Sequence, residues 1–492
     1  MSNWTWIDSV ILLGSFAVML LIGWYYERMR ISSEGFLVAG RDVKYIKLTA
    51  TVLATDIGGG FTIGLTGIAF ASGFSASWMV FTGFAGCILV ARFMIPKVKH
   101  FGDRFKQFTL PDFLEYRYSK RSKLIGSIIT IFASVTFVGT QITAGSAVIQ
   151  AASGIDASLA AWISGLIVIA YTALGGLAAV IMTDLIQWII IVIGIFTLAL
   201  PLGLRAVGGI DGLIANLPAS YFSLGEISIW TVAGWMMSII PAWFISMTTW
   251  QRIYAAKDVK TAKRAYYTTA IVEWPIFALV GTLLGMSAKV LYPGIESEQA
   301  LPTLLTNVLP IGATGFVVAA FAAAVMSTAS GLLIVATATS VRDIYQSFIN
   351  RQATEKQIMK YSRLMTVAFG IGSLAIALYL PFVIKLLLYG YAFQAALFFP
   401  VMFGLFWKRA NATAAFWSLL IAGLGSVCWA ILDNPFGLDP IYFGMPTSLV
   451  LMLVLSYTTT HSGTERLDLF DGFSAVSSST LSANAGPKGL EG

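Results

Sequence analysis

Apolar runs of about twenty residues, parted by short polar loops, recur along almost the whole chain. An apolar helix of about that length crosses the hydrocarbon of a bilayer. The pattern predicts about thirteen such helices, near 6–26, 45–72, 76–96, 124–151, 156–178, 181–204, 229–249, 265–291, 313–339, 361–381, 384–407, 412–432 and 442–459. The expected fold class is an all-α polytopic membrane protein, with one integral domain over residues 1–459. Residues 460–492 are rich in Ser, Gly and Ala without an apolar period, which predicts a disordered tail. The first run has no basic leader or small-residue cleavage site, so it is expected to stay as a span.

Two spans break the pattern. The second contains Ala54-Thr55-Asp56-Ile57-Gly58-Gly59-Gly60, a carboxylate beside three helix-breakers at bilayer depth. A charge there costs at least a few kcal/mol and usually marks a path or a site. Unwound backbone is tolerated in a membrane where it faces protein or a wet cavity. The seventh span, five later, contains Pro241. Breaks at corresponding places in two halves point to an inverted repeat with its site at the midplane. The repeats would cover about 45–204 and 229–407, leaving helices 6–26, 412–432 and 442–459 outside them. Glu273, in span eight, is a further intramembrane carboxylate, for which a cation is the one expected partner.

Composition agrees with a membrane protein. Of 492 residues 57% are hydrophobic and 11% charged, against roughly 25% charged in soluble proteins. The net charge of +7 is not a nucleic-acid signal, because the cations cluster in alternate loops. Loops 27–47, 97–123, 250–264 and 340–363, with Lys408 and Arg409, hold most of them. The positive-inside rule then puts the N-terminus outside and the C-terminus in the cytoplasm. Arg252 is counted among those loop cations. Cys87 and Cys428 lie in apolar runs and predict burial, not a disulfide framework. His100 and His461 are isolated, and no nucleophile–base pair or metal cluster appears, so an enzyme is not expected.

Several segments resemble the sodium:solute symporter family, over nearly all of residues 7–430. They are Ser33–Arg41, Ala54–Trp78, Phe108–Tyr118, Thr172–Val180 with Thr183, Asp184 and Gln187, Ala323–Thr328, and Gly404–Arg409. The closest likeness is to bacterial proline-type members. The resemblance implies a LeuT-type fold with a five-plus-five inverted repeat and solute uptake driven by Na+. It places the multi-pass chain in the plasma membrane (the inner membrane if bacterial), with a monomer sufficient and no nucleic-acid partner.

Carried over residue by residue, the resemblance implies a Na+ site made by the carbonyls of Ala54, Ile57 and Ala324 and the hydroxyls of Ser327 and Thr328. The residues alone point the same way. Ser327 and Thr328 are adjacent hydroxyls in an apolar run, and Ala54 and Ile57 precede the glycine break. Such hydroxyls also commonly bond back to their own helix. Asp56 matches an aspartate that proline-type members need for coupling; it could serve the ion, an amino group on the solute, or a proton. Asp184 matches an acidic residue of two-sodium members, but Gly331 stands where those carry Ser. One sodium per cycle is therefore expected, with Asp184 otherwise an interfacial charge.

Solute contacts in this fold come from four core helices. The candidates are Gly58, Gly59 and Phe61 on the first, and Gln141 with Thr140 on the third. Trp235, Trp243 and Ser246 lie on the sixth, and Tyr391 and Gln394 on the tenth. Sugar-transporting members carry an Asp-Gln pair where Ser246 and Met247 stand here, which argues against a sugar. An amino acid or related small organic ion is the expected solute. A choline-, betaine- or carboxylate-type symporter, or a transporter-like sensory module, is the alternative.

Overall fold

The computed structural model describes residues 4–29, 32–58, 63–379, 383–461 and 466. Gly59 and Gly60 of the expected helix break, the solute candidates Gly59 and Phe61, and nearly all of 460–492 lie outside them. Among the described residues the chain is helical without a strand, apart from one bridge pairing Val43 with Ala256. The helices used below are α1 Trp6–Arg28, α2 Tyr45–Asp56, α3 Leu65–Ser72, α4 Trp78–Leu89, α5 Leu110–Arg117, α6 Lys120–Ser153, α7 Ala157–Ile191, α8 Ile229–Ile245, α9 Met247–Ala255, α10 Val259–Val272, α11 Ala278–Leu291, α12 Ala313–Thr339, α13 Glu355–Tyr379 and α14 Val383–Ala395.

Ten helical stretches among the described residues are long and apolar enough to cross a membrane. The expected segmentation differs from this in places because helices run together. Spans five and six form one stretch, Ala157–Ala206, which turns at Gly176, a residue with φ +59°. Only glycine reaches that conformation without steric cost. Short helices Gly209–Asn216 and Ala300–Val308 fill loops that the apolar pattern leaves blank.

Helix α12 is the centre of the molecule. Ala, Gly, Ser and Thr make up much of its length, and small side chains let membrane helices approach closely. It packs against α6, α7, α1 and α2 and is buried along nearly its whole length. Its N-terminus is capped from outside: Asp8 Oδ1 on α1 accepts from Gly312 N at 2.9 Å and Gly315 N at 2.8 Å. A carboxylate at that end satisfies orphan amides and the helix dipole together.

At the α5–α6 turn, Lys123 Nζ stands 2.8 Å from both Asp112 Oδ1 and Glu115 Oε2 and 3.4 Å from Asp343 Oδ1. It also donates to Ser347 Oγ at 2.9 Å. This links α5 and α6 to the segment that follows α12. The cysteines divide: Cys87 is buried, as expected, while Cys428 faces outward.

Candidate functional site

Both expected breaks fall at the same cavity, one of them displaced. Helix α2 ends at Asp56, where Ile57 leaves helical geometry (φ −80°, ψ 58°) and Gly58 N turns back to Asp56 O at 2.9 Å. In the other half the chain stays helical through Pro241 and leaves helical geometry at Ser246 (φ −61°, ψ 117°), between α8 and α9. Proline weakens the ladder, but a membrane helix packed by neighbours tolerates it. The break expected at Pro241 is thus five residues further on.

The end of α2 meets the middle of α12. Ser327 Oγ donates to Ala54 O at 2.5 Å and to Ala324 O at 2.8 Å. Thr328 Oγ1 donates to Thr55 O at 2.6 Å and to Ala324 O at 3.2 Å. The hydroxyls therefore bond back to their own helix and also reach across to the carbonyls at the broken end. Ala54, Ala324 and Ser327 are fully buried, and Ile57 and Thr328 nearly so. The carbonyls of Ala54, Thr55 and Ala324 and the two hydroxyls form a compact cluster of hard oxygen donors, the chemistry that sodium, like other hard cations, prefers.

Beside this cluster lies a cavity of about 120 Å³. Of the expected solute residues, Gly58, Gln141, Trp243, Ser246, Tyr391 and Gln394 all line it, as do Asp56 and Thr328. Gly59 and Phe61 fall outside the described residues. Thr140 instead bonds its own helix at Thr136 O, and Trp235 is not in the lining. The aromatic walls are paired: Tyr391 packs edge-on to Phe137 at 5.1 Å and Trp243 edge-on to Tyr266 at 6.2 Å between ring centres. Gly58 is needed for closeness, because a Cβ there would stand 2.7 Å from Gln141 Oε1 and 2.9 Å from Thr328 Oγ1.

Asp184 is buried deep against α2 and α9, not placed at an interface. Its Oδ2 accepts from Thr51 Oγ1 at 2.5 Å and lies 3.6 Å from Arg252 Nη2. Arg252 is the residue the sequence reading misplaced. It is 1% exposed, lines the cavity, and donates to Thr55 Oγ1 at 2.5 Å. One polar thread thus runs from Asp184 through Arg252 and Thr55 to Thr328 on α12. Gly331 makes room for it, since a Cβ there would stand 3.1 Å from Arg252 Nη2. An arginine directly after a broken, aromatic-rich span was the available signal. Glu273 opens a π-helical turn, Glu273–Phe277, between α10 and α11, and is 2% exposed.

The model of the sodium:solute symporter family matches residues 36–423. The high-affinity proline transporter PutP of Bacillus subtilis is 26% identical over 480 residues, covering 92% of this chain and 99% of that protein. The osmoregulated proline transporter OpuE of the same organism is 25% identical over 92% and 95%. The human sodium/myo-inositol cotransporter 2 is 28% identical over 87% of this chain and 70% of its own. Among solved structures, a substrate-bound, outward-open Na+-coupled sialic acid symporter superposes with a TM-score of 0.78 at 23% identity, covering 92% and 98% of the two chains. A nucleobase-cation-symport-1 family transporter in a closed conformation gives 0.54 at 14% identity, covering 86% of this chain and 94% of that one. The fold is the LeuT-like fold of such symporters.

Proposed function

The chain belongs to the sodium:solute symporter family, and on that premise we propose that it imports an amino acid or related small organic ion by alternating access, driven by sodium. The observation that carries this reading is the meeting of α2 and α12, where Ser327 and Thr328 reach the carbonyls of Ala54 and Thr55 beside a small cavity. In this reading sodium is the co-transported cargo. It is held by the carbonyls of Ala54, Ile57 and Ala324 and the hydroxyls of Ser327 and Thr328, with Asp56 coupling it to the solute.

The solute rests among Gly58, Gln141, Trp243, Ser246, Tyr391 and Gln394, and by extension Gly59 and Phe61. The cavity volume suits one compact molecule. One sodium moves per cycle: Gly331 offers Asp184 no hydroxyl, and a guanidinium already stands beside that carboxylate. The chain crosses the membrane thirteen times, with its N-terminus outside and its tail in the cytoplasm. What supports that count is the length of Ala157–Ala206, about 75 Å at 1.5 Å per residue, enough for two crossings. Uptake of labelled proline and a panel of amino acids into proteoliposomes, with an inward sodium gradient and without one, tests the proposal. Uptake indifferent to sodium would reject it.

A further inference from the structure

The break between α8 and α9 places the start of a helix at the cavity, where Ser246, Thr248 and Thr249 line it. The ladder of α9 begins with Trp250 N to Ser246 O at 3.2 Å, so the amides of Met247, Thr248 and Thr249 have no partner within the helix. No side chain caps this start: Ser246 Oγ pairs instead with Thr248 Oγ1 at 2.6 Å. Arg252, buried in the second turn of α9, lines the same cavity. A guanidinium carries five N–H donors. Nη2 donates to Thr55 Oγ1 and faces Asp184 Oδ2 at 3.6 Å, and Nη1 donates to Thr248 O at 3.3 Å. Nε finds no acceptor among the described residues.

Among the described residues that line the cavity, Arg252 is the one cation and Asp56 the one acid. Asp56 is hydrogen-bonded to Glu273, and two carboxyls bond each other only through a proton. With one shared proton the pair keeps one negative charge, which one bound sodium offsets. Asp184 offsets the charge of Arg252 but leaves donors on it unused, and a buried donor without a partner is costly. A planar guanidinium suits two parallel bonds to a carboxylate. The helix start adds roughly half a positive charge. Both features call for an anionic group with more than one acceptor oxygen, and discontinuous membrane helices use their starts in this way.

We infer that the start of α9 and Arg252 together bind a carboxylate on the solute, so that the transported molecule is an amino acid or another carboxylate. Arg252 is then a specificity-determining residue, and it selects against polyols and against ammonium compounds without a carboxylate. This inference rests on the sodium-symport reading and narrows its substrate class.

The test uses the purified full-length chain. Thermal shifts are measured in sodium chloride with L-proline beside L-prolinamide, glycine betaine beside choline, and with other amino acids, pyruvate, myo-inositol and glucose. Every stabilising compound is expected to carry a carboxylate. Its carboxylate-free counterpart should need about tenfold more or beyond for the same shift, since hydrogen bonds to a charged group are lost. Arg252→Gln should abolish that preference for acid over counterpart, whereas a merely structural role would weaken both alike. The sodium effect on melting reports that the variant is folded. Should Arg252→Gln fail to fold, Arg252→Lys keeps a charge beside Asp184 and is expected to narrow the preference, because an ammonium lacks the planar fork. A carboxylate-free compound as the best stabiliser, a panel in which no carboxylate stabilises, or a folded Arg252 variant with the preference intact overturns the inference. Sodium-driven uptake of a carboxylate-free solute would overturn it and leave the symport reading standing. Carboxylate stabilisation without any sodium dependence would do the reverse.

Discussion

The Ser327 hydroxyl donates a 2.5 Å hydrogen bond to the Ala54 carbonyl, 273 residues away. A hydroxyl that donates to a carbonyl must turn its proton aside before both oxygens can face a cation. Sodium binding would thus exchange a hydrogen bond between α2 and α12 for two ion contacts. We predict that Ser327→Ala or Thr328→Ala raises the sodium concentration for half-maximal uptake by about tenfold or more, roughly 1.4 kcal/mol. Uptake against sodium concentration in proteoliposomes checks this; unchanged sodium dependence in both variants would sink the assignment.

Asp56→Asn and Asp184→Asn should fail differently. Asp184 and Arg252 are a buried pair, and removing one partner of such a pair typically costs about 3–5 kcal/mol. Asp184→Asn is expected to lower the melting temperature and the yield of folded protein. Asp56→Asn should keep its melting temperature and lose sodium-dependent uptake. Paired melting and uptake curves decide it, and the reverse order would favour a second ion at Asp184.

Gly58→Ala puts a methyl group 2.7 Å from Gln141 Oε1 and 2.9 Å from Thr328 Oγ1. Either neighbour must move, so solute affinity should fall by about tenfold or more, with sodium affinity reduced as well through Thr328. An unaffected KM for the solute would mean that Gln141 swings away freely and is not held for binding.

Acid should expose the Lys123 cluster. Burial opposes ionisation of Asp112, but Lys123 at 2.8 Å, Arg342 and the Phe108 amide outweigh it and hold Asp112 below the ordinary 3.8. A lowered carboxylate contributes stability above the unfolded value, and that contribution is lost as pH falls through the folded one. The Asp112 contribution to the melting temperature should therefore be lost below about pH 4, where unfolded aspartate titrates. Lys123→Met should be less stable at neutral pH and flatter across that window; identical acid limbs would remove Asp112 from the account.

Topology has its own check. In a Cys428→Ser background, an impermeant maleimide should label Glu296→Cys from outside intact cells and Gln352→Cys only after permeabilisation. Both positions are exposed, so the opposite pattern would invert the orientation.

Much of the site was legible because the membrane makes polarity conspicuous. Asp56, Ser327 and Thr328 stand out against apolar neighbours, and Gln141, Tyr391 and Gln394 do so within their own helices. The signal at Arg252 was weak, because the expected span ends at 249 and an arginine three residues beyond it looks like one loop cation among several. Its burial depends on the bend at Ser246, which carries no glycine or proline to announce it. Pro241 misled for the converse reason: a strong local breaker was overruled by the packing of its helix. Glu273 was visible as a charge, but its closeness to Asp56 is tertiary and has no trace in spacing.

Asp8 gives the chain's first helix a mechanical part. By gripping the amides of Gly312 and Gly315 it fastens α1 to the head of the helix that carries Ser327 and Thr328. If access alternates as proposed, any displacement of α12 would carry the residues around Asp8 with it. A fluorophore beside Trp4 would then report, from the periphery, the travel of a helix otherwise sealed inside the protein.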